Sequence, residues 1–282
     1  MSKIASTFSQ NRPGALRPKS NPAKVLIGEP VDPKLDVGLA LYQGQEVAVR
    51  PFSGTSVLNP GQVTDATETI SRILSPLAQS EVGTIRCIGL NVICLSCQGD
   101  VPPNPDVPTL FMKPSSSLAD PWPAPTVLPK ITQQDNTGDY ESEMVIVIGR
   151  DAKDVPESEA LDYVLGYTAA NDVSSRTSQM NQSQWSFSKG FDGACPIGTP
   201  RSRLRCSHPD VSKLQIRGLK SGRVMQDCPL TDLIFSVPQL ISFLSQGTTL
   251  PLNPKEFIKV GDEFAVELLP HIGTLINKIE HQ

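Results

Sequence analysis

The chain has no basic block. Its 25 Lys and Arg are outnumbered by 29 Asp and Glu, leaving a net charge of −4, so neither nucleic acid nor an anionic membrane is an expected partner. No apolar run approaches the roughly 20 residues of a membrane span. The opening Met-Ser-Lys-Ile-Ala-Ser-Thr-Phe lacks the continuous apolar stretch of a secretory signal, and a cytoplasmic location is expected. Cysteine is sparse, at positions 87, 94, 97, 195, 206 and 228. Cys94-x-x-Cys97 has half the spacing of a zinc site, but no second such pair and no nearby His completes it. Reduced, structural cysteines are expected. No internal repeat is visible.

What is abundant is proline. The 26 Pro residues work against long helices and favour strands and loops. A length of 282 residues has room for one large domain, or one with a small companion. Residues 1–22 are polar, carry Pro13, Pro18 and Pro22, and read as a flexible arm. Val25-Leu26-Ile27 reads as a strand, and Leu35 to Arg50 as a hairpin turning at Gln43-Gly44-Gln45. Ile70, Ile73, Leu74 and Leu77 have helical spacing, with Thr64 or Asp65 to cap, and predict a helix over 64–77. Further helices are expected over 157–164 and 229–244, the latter containing Pro238. Strands are expected at Ile85 to Asn91, Leu110 to Pro114, Leu214 to Arg217, Glu263 to Leu268 and Gly273 to Ile279.

The stretch that organises the rest is Tyr140-Glu141-Ser142-Glu143-Met144-Val145-Ile146-Val147-Ile148-Gly149. A Val- and Ile-rich run stopped by Gly reads as a buried strand. On a strand, residues i and i+2 share a face, so Glu141 and Glu143 project side by side. Two carboxylates so close repel each other and are costly to desolvate. A hard divalent cation with oxygen ligands would remove that cost. Taken alone, a Glu-x-Glu pair is more often a solvated strand start that binds nothing.

The residues downstream alter that balance. Gly166-Tyr167-Thr168-Ala169-Ala170-Asn171-Asp172-Val173-Ser174-Ser175-Arg176 follows, then Gln179, Trp185, Ser188-Lys189-Gly190-Phe191-Asp192 and Pro196-Ile197-Gly198. Thr248-Thr249-Leu250, Gly261-Asp262-Glu263 and Ile272 to Asn277 come later, and Gly83 to Asn91 earlier. In this order, and over nearly the whole chain from about Ala23, the sequence resembles the fumarylacetoacetate hydrolase superfamily. The resemblance implies a mainly β (α+β) fold of β-roll type with few short helices. It also implies a small N-terminal β-rich domain over 23–80 and a catalytic domain over 81–282.

By the same resemblance, Glu141, Glu143 and Asp172 are metal ligands for one Mg²⁺ or Mn²⁺, and their carboxyl oxygens would converge on one point. For Asp172 alone an Asx turn is the plain alternative. Lys189 matches a substrate-facing lysine that stabilises developing negative charge, and Asp192 would orient it. Arg176 and Gln179 match positions that hold a substrate's carboxylate or oxo groups, with a salt bridge and a solvated amide as the plain alternatives. Trp185 reads as packing. The implied partner is a small 2-oxo acid or β-dicarbonyl, and the usual assembly is a homodimer.

Two segments depart from the family pattern. Leu95 stands where the family has a His, and Gln98 where it has a Glu, so the pair that activates water is missing. After Thr249-Leu250, Pro251 to Phe257 replaces the family's Gly-Asp-x-Ile-x-Thr-Gly-Thr-Pro-x-Gly segment. The expected activity is carbon–carbon bond hydrolysis or decarboxylation of an oxo acid. A divergent isomerase or cyclase, and a non-catalytic metal-stabilised scaffold, are the alternatives.

Overall fold

The computed structural model describes residues 14–91, 105–134, 136–198, 211–250, 263–268 and 273–278. They fall into two compact units, one within Met1–Leu252 and one within Asn253–Gln282. Strands prevail and helices are short, so the fold is mainly β, as expected. Among the described residues no helix is long and apolar enough to cross a membrane.

Four antiparallel strands close on themselves near the start. β1 (Gly14–Pro18) pairs with β2 (Leu26–Pro30), β3 (Ala48–Pro51) follows, and β4 (Glu68–Ile73) returns to β1. Helix α1 (Val37–Tyr42) buries Ala40 and Leu41 in a cluster with Leu16, Val47, Val49, Ile70 and Ile73. Closure leaves no unpaired ladder edge.

Three local expectations fail here, two for a tertiary reason and one through a local cap. Gly14–Pro18 lies in the expected arm, yet Leu16 gives it an apolar anchor in the barrel core. Val37 to Leu41, expected as a strand, is helical because the Asp36 carboxylate caps it, accepting from Leu39 N at 3.1 Å. Residues 68–73 form a strand, not a helix. Leu16 pairs with Ile73 and Arg17 with Arg72, but Pro18 pairs with Ile70. Ser71 is therefore an extra residue, a β-bulge. It turns both Ile70 and Ile73 inward, so a bulged strand carries the i, i+3 spacing of a helix.

Downstream come β5 (Thr84–Gly89), β6 (Thr109–Pro114), β7 (Leu118–Ala119), α2 (Lys130–Gln134), β8 (Gly138–Asp139), β9 (Ser142–Ile148) and β10 (Val164–Asn171). Then follow β11 (Ser174–Ser175), α3 (Arg176–Met180), α4 (Ser186–Lys189), β12 (Cys195–Pro196), β13 (Gln215–Lys220), β14 (Arg223–Pro229) and α5 (Val237–Ser245). The pairs are β5–β6, β8–β11, β9–β10 and β13–β14, all antiparallel, and the parallel pair β7–β12. Glu157–Tyr163 is a 3-10 helix where a helix was expected. The helix expected from 229 starts instead at Val237, behind a capping box of Ser236 and Gln239. Pro238 thus sits in the first turn, where its missing N–H costs nothing.

One face of β9 packs Met144, Ile146 and Ile148 against the cluster of Val237, Ile241 and Leu250. Its other face places Val145 against Leu118, Cys195 and Ile197. In the second unit, β15 (Glu263–Leu268) and β16 (Gly273–Lys278) pair antiparallel in unbroken register.

Candidate active site

The β9–β10 ladder brings the acidic residues together. Glu143 lies opposite Ala170 and Ser142 opposite Asn171. One step further, Asp172 N donates to Glu141 O at 2.8 Å. Opposed residues of an antiparallel pair share a face, as do i and i+2. Glu141, Glu143 and Asp172 therefore project to the same side. Asn171 fixes this corner, its Oδ1 accepting from Glu141 N at 3.1 Å.

Cations face them. Lys189, 2% exposed, places Nζ 2.9 Å from Asp172 Oδ2, 2.9 Å from Glu141 Oε1 and 2.7 Å from Ser174 Oγ. Lys113, fully buried, places Nζ 2.8 Å from Asp172 Oδ1 and donates to the carbonyls of Lys189 and Ala194. Arg176 donates from Nε to Asp139 at 2.7 Å, and from one terminal nitrogen to Glu141 at 2.5 Å and Gln179 at 2.9 Å. Burial alone would lower the Arg176 pKa, but the bonds to Asp139 and Glu141 outweigh it and hold it up.

Glu143 has too little compensation, Lys189 being outweighed. Burial first, then the Glu141 and Asp172 carboxylates, push its pKa up to about 7. Asp172 Oδ1 sits close to Lys113 but outside hydrogen-bonding angles, so it keeps an unused lone pair. This donor set, three oxygen anions on one ladder face with repulsion left over, fits a hard divalent cation. The expected convergence of the three carboxylates is not met. Among the described residues no group of three or more His, Cys, Asp or Glu is arranged to hold a metal, and lysines take up Asp172 and Glu141.

Glu141, Glu143, Asp172, Lys113, Lys189, Arg176 and Gln179 line one cavity of about 630 Å³. Its remaining wall is largely apolar, with Phe111, Ile85, Met144 and Leu240 among the contributors. Trp185 packs edge-on to Phe111 at 5.8 Å and lies against Gly89, where a Cβ would come within 2.2 Å of the ring. It is packing, as read from the sequence, and only glycine leaves it room. Burial pushes the Cys195 thiol up to about 11 and raises Cys87 as well, so neither is a thiolate nucleophile at neutral pH.

Asp192 is exposed and makes none of the Lys189 contacts, so the orienting role expected of it falls to Asp172 and Ser174. Sequence reasoning missed Lys113, Asp139 and Ser174. Lys113 shares a face of β6 with Phe111, and both are buried while Leu110 and Met112 are exposed. Leu95, Gln98 and Pro251 to Phe257 lie outside the described residues, as do Cys94, Cys97 and all three histidines.

Comparison with known proteins gives the family. Residues 84–280 match the fumarylacetoacetate hydrolase C-terminal domain, and the chain belongs to that family. It is 38% identical over 278 residues to a caffeoylpyruvate hydrolase of Neonothopanus nambi, covering 92% of this chain and 89% of that protein. It is 31% identical over 258 residues to the human mitochondrial oxaloacetate tautomerase FAHD2A, covering 81% and 80%. A crystal structure of 2-hydroxyhepta-2,4-diene-1,7-dioate isomerase from Mycobacterium marinum superposes with a TM-score of 0.67 at 26% identity, over 96% of this chain and 98% of that one. These relatives are enzymes: a hydrolase, a tautomerase and an isomerase.

Proposed function

We propose that the chain is a hydrolase of acylpyruvate-type 2-oxo acids, cleaving the bond between the acyl carbonyl carbon and the methylene with addition of water, the hydroxyl going to the acid and the proton to the pyruvate methyl. The observation that carries this reading is the single cavity in which Glu141, Glu143 and Asp172 face Lys189, Lys113 and Arg176. Glu141, Glu143 and Asp172 would hold one Mg²⁺ or Mn²⁺. A bound dication supplies Lewis acidity toward the substrate's oxo and carboxylate oxygens. The Arg176 guanidinium, with Gln179 beside it, docks the substrate carboxylate. Lys189 holds the negative charge that develops on an oxo oxygen. Lys113 and Ser174 keep Lys189 and Asp172 in place. A cavity of about 630 Å³ far exceeds the needs of a four-carbon acid, and its apolar wall suits a bulky acyl arm.

The test is mass spectrometry of the protein with Mg²⁺ or Mn²⁺ and caffeoylpyruvate, a short acylpyruvate, or oxaloacetate. The expected result is pyruvate plus the matching acid, favouring the aromatic substrate, with kcat reduced about 100-fold or more in Lys189→Ala. Turnover of none of the acylpyruvates would refute the reading. A second reading, tautomerisation or decarboxylation of oxaloacetate, draws on Leu95 and Gln98 standing in the water-activating positions. It predicts that oxaloacetate is the better substrate, and that Leu95→His with Gln98→Glu raises hydrolysis selectively.

A further inference from the structure

Lys189 has two claims on its charge. The proposed reaction needs its ammonium for the charge that develops on a substrate oxygen, yet three protein oxygens already surround Nζ. Asp172 Oδ2 and Glu141 Oε1 lie 2.9 Å away, and Ser174 Oγ lies 2.7 Å away. An ammonium has three protons to donate, so this shell is full. Two of the three carboxylates proposed as metal ligands each give an oxygen to it.

Lys113 also faces Asp172, but it is anchored. Its Nζ is sealed from solvent and donates to the main-chain carbonyls of Lys189 and Ala194. The partners around Lys189 Nζ are side chains, and a lysine stem with four rotatable carbons can swing between them. A second resting place is at hand. The Phe111 ring lines the same cavity, and its centroid is 5.2 Å from Lys189 Nζ, within reach of a cation–π contact. Of the two ammonium groups on Asp172, Lys189 is the one able to move.

We propose that Lys189 is a built-in stand-in for the divalent cation. Without metal its ammonium neutralises Glu141 and Asp172; on loading with Mg²⁺ or Mn²⁺ it is displaced toward Phe111 and the substrate. This rests on the proposed metal set, and it accounts for the carboxylates turning to lysines rather than to one point. Two consequences follow. The apparent metal affinity is the intrinsic one reduced by the fraction of molecules in which the ammonium stands aside. The ammonium also becomes available to substrate only in the loaded protein, so loading precedes substrate binding.

Titration calorimetry with Mn²⁺ and no substrate tests the first consequence, comparing the full chain with Lys189→Met, which keeps the length of the side chain without its charge. The expected Kd is lower in the variant by about tenfold or more, as displacement from a site open in a tenth of molecules or fewer requires. Loss of any nearby positive charge also favours a cation, so a crystal structure of the unaltered chain grown with Mn²⁺ tests the displacement itself, and serves alone if the variant fails to fold. Lys189 Nζ should lie beyond hydrogen-bonding distance of both Glu141 Oε1 and Asp172 Oδ2, while Lys113 keeps its two carbonyls. A variant that binds Mn²⁺ no tighter, or a Lys189 still bonded to both carboxylates beside bound Mn²⁺, would overturn the proposal and leave the metal set standing. Absence of Mn²⁺ binding by either protein would overturn both.

Discussion

The barrel and the β9–β10 ladder put the same antiparallel pairing to opposite uses. In the barrel every strand has two neighbours, and Val47, Val49 and Ile70 are sealed from solvent. Its buried Glu29 is paired with Arg50 at 2.8 Å. Among the described residues β9 pairs with β10 alone, most of its side chains are half-buried, and one face ends in carboxylates. There the charges are interlocked: Asp172 is shared by two lysines, and Lys189 by two acids. The lesson is about where repulsion is tolerated. The barrel spends its contacts on closure, whereas the ladder keeps a carboxyl, Glu143, in a setting that disfavours its charge.

That contrast can be broken in order of size. Asp172→Ala should do most damage, leaving two buried ammonium groups without their shared anion; the expected loss is about 3 to 5 kcal/mol. Urea denaturation checks it, and activity should vanish as well. Ile70→Ala should come next, costing the barrel about 2 to 4 kcal/mol through a cavity. Here kcat per folded molecule should stay at its original value, because Ile70 does not line the cavity. A fall in kcat would mean that the barrel and the ladder are not separable.

The smallest effect depends on pH. The Glu143 carboxyl is raised from 4.5 to about 7 in the folded chain. Below pH 4.5 both folded and unfolded states hold its proton and nothing is lost. Between 4.5 and 7 the folded state keeps the proton while the unfolded state releases it, so stability falls as pH rises. Above 7 the whole cost is present. In chelator, Glu143→Gln should therefore be the more stable protein at pH 8, by about 1 to 3 kcal/mol, and no more stable at pH 4. Melting curves across that range test the sign, and equal pH profiles for both proteins would remove Glu143 from the set of strained groups.

Part of the site was legible locally, since Glu141 and Glu143 share a face by strand period alone. Asp172, Lys189, Arg176 and Gln179 were expected only through the family resemblance, and ladder register is what brings Asp172 beside the two glutamates. Lys189, Arg176 and Gln179 lie close behind in sequence and line the same cavity. Lys113 was not legible, because its partner Asp172 lies 59 positions later and no local rule makes a strand lysine face inward. Asp192 was misread for the converse reason: nearness in sequence to Lys189 does not decide which side of a turn a carboxylate takes.

By itself, then, the sequence determined the mainly β character, through proline and β-branched runs, and the acidic face of β9. Tertiary structure alone decided that Glu68–Ile73 is a strand, since only pairing with β1 reveals the bulge at Ser71. It also decided that two lysines converge on one aspartate. Periodicity reports which side chains share a face. It carries no record of the partner that face will meet, and buried charge is settled by partners.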